Sequence, residues 1–157
     1  MRVYIGCYKS RLGWLSITAT DDTLLTIRFS KSRKGSRQAT KTPLLTETYR
    51  QLDAYFSGKR KKLTLPFAML GTKFQKRVWN ILPEIPYGDV VTYGEIAKAI
   101  GKPRAFRAVG TALSKNKLPI LLPCHRVVKS DLRLGGFTGG LHLKRQLLEL
   151  EGVLESK

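Results

Sequence analysis

The sequence predicts an α/β protein built from two units. A small antiparallel sheet domain with one helix is expected over residues 1–65, and a mainly helical domain with a helix-turn-helix over residues 70–157. Three observations predict this division. Apolar residues alternate with a period of two over the first 30 positions, helical spacing begins at Thr42, and two capping motifs open further helices after residue 70.

Val3, Ile5 and Cys7 mark one face of a first strand, and Leu15, Ile17 and Ala19 one face of a second. After an Asp21-Asp22 turn, Leu25, Ile27 and Phe29 continue the alternation, completing an antiparallel meander. Thr42 then reads as a helix cap with Pro43 at the first helical position. Leu45, Tyr49, Leu52 and Phe56 form the apolar stripe of that helix, and Gly58 ends it. A short apolar stretch at Leu63–Leu65 leads into a connection that runs to Gly71.

Thr72 and Gln75 have capping-box spacing, with Phe74, Val78 and Ile81 on one face until Pro83 stops the helix. Thr92 and Glu95 repeat the box, and Ile96, Ala97 and Ile100 supply the next apolar face. Gly101 closes that helix, and Pro103 is the expected first position of another running to Ser114. Helix, glycine turn, helix is the outline of a helix-turn-helix. The second helix carries Arg104 and Arg107 beside the small residues Ala105, Ala108, Gly110 and Ala112. Small residues suit close approach to another body and close helix packing equally, so spacing alone does not choose.

The charge points to a partner. Lys and Arg number 29 against 11 acids in 157 residues, a formal charge of +18. Such an excess argues for a polyanion, with nucleic acid ahead of an anionic membrane. It is shared between the halves: residues 1–70 hold 14 basic and 4 acidic residues, residues 71–157 hold 15 and 7. Two clusters stand out, Lys31, Arg33, Lys34, Arg37 and Lys41, and the run from Lys59 to Lys62. Each taken singly reads as a solvated loop, and together they strengthen a field that attracts DNA.

Other classes are excluded. With 42% apolar residues the chain carries enough for a core. No apolar run approaches the ~18 residues of a membrane span, and the N-terminus lacks the apolar core of a signal peptide. Two cysteines and two histidines leave no cysteine-rich zinc site and no disulfide scaffold. No metal and no cofactor are expected, and a free thiol suits a reducing compartment.

The segment richest in chemistry is Leu118-Pro-Ile-Leu-Leu-Pro-Cys-His-Arg-Val-Val128. It places Cys124 beside His125 and Arg126, and a basic neighbour is what activates a cysteine nucleophile. Strand neighbours point to opposite faces, however, so adjacency alone does not make a pair. A tight turn at Pro123 would. Cys7, in strand alternation with no histidine or acid nearby, reads as core packing.

Pro123-Cys124-His125-Arg126-Val127 resembles the active-site signature of the O6-alkylguanine-DNA alkyltransferases. Asn116, eight positions before the cysteine, matches the hinge asparagine of that family. Pro86-Tyr87-Gly88-x-Val90-x-Thr92-Tyr93-Gly94-x-Ile96-Ala97 is similar to the start of its helix-turn-helix. Pro103-Arg104-x-x-Arg107-Ala108-Val109-Gly110 follows, then Gly135-Gly136-Phe137-Thr138-Gly139-Gly140, then Lys144-x-x-Leu147-Leu148-x-x-Glu151-Gly152. The ordered resemblance covers roughly residues 70–152, and residues 1–69 follow it only in strand pattern. It implies a ribonuclease-H-like N-terminal domain.

It also implies a reaction: irreversible transfer of an alkyl group from O6 of guanine to Cys124, once per molecule. Glu151 would orient His125, which would take the thiol proton through a water. Tyr93 would donate to N3 of the leaving base. The backbone at Val127 would read the exocyclic amine, an amide at Thr138 would meet O6, and Gly136 and Phe137 would belong to the pocket. Base-edge hydrogen bonds and apolar walls are how an extruded nucleotide is read. Arg107 would fill the gap in the stack, with Arg104, Ala108, Gly110 and Arg126 at the DNA. The residues keep plainer readings, Glu151 as a solvated helix acid, Tyr93 as an aromatic staple, and the glycines as a loop.

The implied partner is duplex DNA, approached through the minor groove without sequence preference, by a monomer with no obligate protein partner and no membrane. A cytoplasmic location, on the nucleoid in a prokaryote, is expected. Phe137 stands where the family often has tyrosine, Thr138 where it often has serine, and Lys117 where proline often follows the asparagine. These departures bear on substrate breadth. The competing classes are a lesion binder of the alkyltransferase-like kind, which lacks the cysteine present here, and a Cys-His hydrolase, which would regenerate its thiol.

Overall fold

The computed structural model describes residues 1–30, 41–137 and 140–155, which divide into two compact units, Met1–Met69 and Leu70–Lys157. Of the first basic cluster only Lys41 is among the described residues, and Thr138 and Gly139 lie outside them.

The first unit is a three-stranded antiparallel sheet, β1 (Tyr4–Ser10), β2 (Gly13–Ala19) and β3 (Leu24–Ser30), in that order, covered by α1 (Pro43–Phe56). Leu15, Ile17 and Ala19 are buried as expected. The face of β1 is not the expected one. Register pairs Gly6 with Ile17 and Tyr8 with Leu15, so the even positions of β1 share the buried side. Val3 and Ile5 are consequently exposed, and Cys7 is half-buried rather than core. Gly6 sits on the covered side because a Cβ there would collide with the Tyr49 hydroxyl of α1. A register shift between Thr18 and Ala19 likewise exchanges Leu25 for Leu24, which becomes fully buried.

Thr42 caps α1 by accepting a hydrogen bond from the Leu45 N–H at 3.1 Å, with Pro43 at the first helical position. The Gln51 side chain both donates to Thr64 O (3.0 Å) and accepts from Thr64 N–H (2.8 Å), so the Leu63–Leu65 stretch is fastened to the helix.

In the second unit α2 (Lys73–Ile81) and α3 (Tyr93–Ala99) both begin with complete capping boxes, at Thr72/Gln75 and Thr92/Glu95. Trp79 lies deeper in the core than Phe74 or Ile81, and its indole N–H donates to Ala112 O at 2.9 Å. A 3-10 turn over Leu82–Glu84 takes up Pro83 at the end of α2. The expected start of the next helix at Pro103 is corrected. Ala105 N–H donates to Lys102 O at 2.8 Å, making Pro103 the second residue of a turn, and α4 spans Phe106–Ser114 with no capping side chain. α4 packs on both α2 and α3.

Two short strands, β4 (Val91–Thr92) and β5 (Val127–Val128), pair in parallel, Val91 with Val127 and Thr92 with Val128. Their pairing sets the start of α3 beside the chain that leaves Cys124. α5 (Leu141–Leu150) closes the unit, and Gly152, at a φ of 80°, turns the chain away.

Candidate active site

Cys124 is presented by a sequence of tight local bonds. Leu122 N–H donates to Leu118 O at 2.8 Å, and Ile120 within that loop holds a φ of 74°, a costly conformation for a β-branched residue. Asn116 fastens both ends: its carbonyl oxygen accepts from Leu118 N–H (2.9 Å) and its amide donates to Leu122 O (2.8 Å). Pro123, at φ −77° and ψ 68°, then forms an inverse γ-turn closed by Cys124 N–H to Leu122 O at 2.7 Å. A 3-10 turn, Cys124–Arg126, follows immediately. The sharp turn that a Cys-His dipeptide needs is therefore present.

His125, Glu151 and Arg126 are all buried, at 0%, 4% and 6% exposure. Glu151 Oε2 lies 2.7 Å from His125 Nε2 and 2.9 Å from Arg126 Nη2, and its Oε1 is 2.8 Å from Arg126 Nε. A carboxylate already gripped by a guanidinium acts as an acceptor, so His125 donates from Nε2 and its unprotonated nitrogen is Nδ1. That Nδ1 is buried and has no hydrogen-bond partner among the described residues. Burial holds the His125 pKa below its usual value, opposed by Glu151 and assisted by Arg126 and Lys144. The imidazole is thus a neutral base at physiological pH.

The expectation that Arg126 contacts DNA is overturned by this geometry. Its guanidinium grips Glu151, donates from Nη1 to Ile85 O at 2.8 Å, and lies 5.7 Å from the centre of the Tyr87 ring. The side chain is only 7% exposed. Sequence position alone could not reveal this, because the inward partner is 25 residues away.

Burial pushes the Cys124 thiol up to about 11, while the Asn116 amide and the positive charge of Lys144 pull it down. The sulfur is held as a thiol, so nucleophilic use of it needs a base. Lys144, fully buried, donates from Nζ to Val127 O (2.6 Å), to Gly136 O (3.2 Å) and to Leu134 O. Val127 is itself buried, and its carbonyl already accepts from this ammonium. Sequence reasoning gave Lys144 no role. The signal was available: it stands three and four residues before Leu147 and Leu148, on the buried stripe of α5.

Tyr93, the first residue of α3, lies between two glycines. A Cβ at Gly135, whose φ is 72°, would come 2.5 Å from the Tyr93 hydroxyl, and one at Gly110 would touch its ring at 3.7 Å. Burial and the neighbouring Cys124 raise the Tyr93 pKa, and a backbone hydrogen bond at Gly136 opposes them, so the phenol keeps its proton. A cavity of about 760 Å³ brings together Tyr93, Arg107, Gly110, Cys124, Gly136 and Phe137. Arg104 and Ala108 are exposed near the start of α4 and do not line it. Among the described residues no group of three His, Cys, Asp or Glu is placed to hold a metal ion, and no helix is long and apolar enough to cross a membrane.

Residues 73–153 match the DNA binding domain of 6-O-methylguanine DNA methyltransferase, and residues 3–69 its ribonuclease-like domain. The chain belongs to the 6-O-methylguanine DNA methyltransferase family. Members similar along nearly their whole length include the methylated-DNA–protein-cysteine methyltransferase of Methanosarcina acetivorans, 42% identical over 96% of this chain and 99% of that one. The constitutive enzyme of Bacillus subtilis is 38% identical over 96% of each. Among solved structures of the family, the O6-methylguanine methyltransferase of Mycobacterium tuberculosis superposes with a TM-score of 0.86, at 36% identity, over 99% of this chain and 97% of that one. A second structure from that organism, in complex with DNA, gives 0.84 at 38% identity over 92% and 90%. Every residue of the cavity falls within the family's DNA binding domain.

Proposed function

We propose that this chain is a DNA repair methyltransferase that removes the alkyl group from O6-alkylguanine in duplex DNA by taking it onto Cys124. The observation that carries the reading is the neutral, buried His125 with its Nδ1 unpartnered, next in sequence to a thiol that burial keeps protonated. The lesion is extruded into the cavity, at a cost of a few kcal/mol. His125 accepts the thiol proton through a water, with Glu151 orienting the ring. The sulfur attacks the alkyl carbon in line, forming an S–C bond as the C–O6 bond breaks. Tyr93 donates its proton to N3 of the departing guanine and regains one from solvent. A thioether has no leaving group suited to reversal, so each molecule reacts once.

Asn116 keeps the Cys124 loop in place. Gly136 and Phe137 bound the base pocket, and one lone pair of Val127 O is left for the exocyclic amine. Arg107 occupies the vacated stack, while Arg104, Ala108 and Gly110 adjoin the minor groove. Phosphate contacts impose no sequence preference and weaken with salt. The protein acts as a monomer without an obligate partner, and its reduced thiol suits the cytoplasm.

Incubation with an O6-methylguanine duplex, followed by peptide mass spectrometry, is expected to place one added methylene on the Cys124 peptide, with product capped at one per protein. Cys124→Ser should bind the duplex and gain nothing. An unmodified Cys124 on fully bound DNA, or repeated turnover as in a hydrolase, would overturn the reading. Arg107→Ala is expected to slow transfer from the duplex at least about tenfold more than transfer from free O6-benzylguanine, in line with the few kcal/mol that extrusion costs. Equal losses on both substrates would remove Arg107 from the stack.

A further inference from the structure

Phe106 opens α4 with 49% of its surface in water, the only exposed aromatic side chain among the described residues. Its surroundings are electropositive: residues 102–117 contain five cations and no acid. The ring lines a second cavity, of about 570 Å³, with Arg107, Gly110 and Lys129. Arg107, Gly110, Tyr93 and Gly136 line both cavities, whereas Cys124 lines only the first and Phe106 only the second. Arg107 therefore stands on the divide. The acid at this second site, Asp131, is ion-paired to Arg133 at 3.2 Å.

We infer that the second cavity seats the nucleotide adjoining the lesion on the same strand, its base stacked on Phe106 and its phosphate at Lys129. The inference rests on the transferase reading above and adds to it a subsite and a stacking residue. Once the damaged nucleotide occupies the first cavity and Arg107 the gap, the next nucleotide loses one stacking neighbour. A flat apolar ring beside Arg107 adds a stacking surface that the guanidinium alone does not supply. Aromatic rings serve this purpose for every base, because each has a π-face, so the contact adds affinity without sequence preference. Apolar side chains beside a basic helix also open base steps in minor-groove binders. An ammonium at Lys129 supplies the counter-charge to the phosphate that links the two nucleotides.

The test is a pairwise cycle on the full chain. Wild type and Phe106→Ala, each carrying Cys124→Ser so that the lesion is not consumed, are titrated against an O6-methylguanine duplex and against the same duplex with an abasic residue next to the lesion. Phe106→Ala should weaken binding to the intact duplex about tenfold, within the range expected for one base–aromatic stack. The abasic neighbour should cost wild type a similar factor and cost Phe106→Ala almost nothing more. Phe106→Trp should restore most of the loss. Unchanged affinity in Phe106→Ala, or an abasic penalty of the same size in both proteins, would overturn the subsite. Alkyl uptake by Cys124 from free O6-benzylguanine, read in parallel on wild type, reports on the transferase reading by itself.

Discussion

Replacing Arg126 by alanine is expected to destabilise the folded chain by about 3–5 kcal/mol, the usual cost of leaving a buried charge without its partner. The charge left behind is Glu151, which both Arg126 Nε and Nη2 hold at 2.8–2.9 Å in a site with 0% side-chain exposure. The same change should slow alkyl transfer from the free base as well as from the duplex. Without the guanidinium, a proton on Glu151 becomes the cheapest answer to burial, and a protonated carboxyl no longer fixes which His125 nitrogen is the base. Arg126→Lys is expected to fall between, because an ammonium cannot reproduce the fork or the contact to Ile85 O. Denaturant unfolding and single-turnover rates on both substrates check the claim. A surface DNA contact would behave oppositely, with stability within about 0.5 kcal/mol of wild type and a loss confined to the duplex.

Arg126 also shows where reading the sequence stops. Local physics was legible: the Thr42-Pro43 start, the two capping boxes, and the γ-turn that Pro123 permits all depend on residues within a few positions of one another. Partners chosen by tertiary contact were not. The face of β1 follows from its pairing with β2, and a register is not encoded in the period of either strand. Leu24 replaced Leu25 through one irregularity at Thr18/Ala19. Pro103 fits a helix start and a turn equally well, and the turn prevailed where neither Lys102 nor Ala105 offers a capping oxygen. In the site, the resemblance to a known family brought Cys124, Tyr93, Gly136 and Phe137 into consideration together, and they line one cavity. Basic side chains beside a cysteine were harder to read. A cation in a sequence with 29 of them reads as surface by default, yet Arg126 and Lys144 are buried and hold the site from within.

Lys144 carries the remaining large prediction, a fall in the transfer rate as pH rises through about 8. Burial pulls its ammonium down to about 8 from the usual 10.5, with the Cys124 sulfur opposing the shift. Protonated, Nζ supplies three donors to Val127, Leu134 and Gly136, joining the strand that leaves Cys124 to the lip of the cavity, and it lies 5.9 Å from the centre of the Tyr93 ring. Deprotonated, it lacks one donor and the charge that favours the thiolate. The thiol itself sits near 11, so it stays largely protonated in this window and depends on His125 to take its proton. Unfolding through Lys144 is not the cause of the fall: with its folded pKa below the unfolded one, the unfolded chain binds more protons between about 8 and 10.5. By linkage, this group then makes folding more favourable as pH rises across that range. Lys144→Arg keeps its charge at every accessible pH, so its slower reaction should lack the limb near 8. Lys144→Met should lose at least about tenfold at pH 7, since hydrogen bonds to a charged group are worth about 1.5–3 kcal/mol each. Single-turnover uptake of a benzyl group from the free base, from pH 6 to about 10, isolates these effects from DNA binding, whose phosphate contacts carry their own electrostatics. A wild-type rate that climbs steadily through 8, or the same limb in Lys144→Arg, would place the lysine outside the chemistry and leave it as a strut alone.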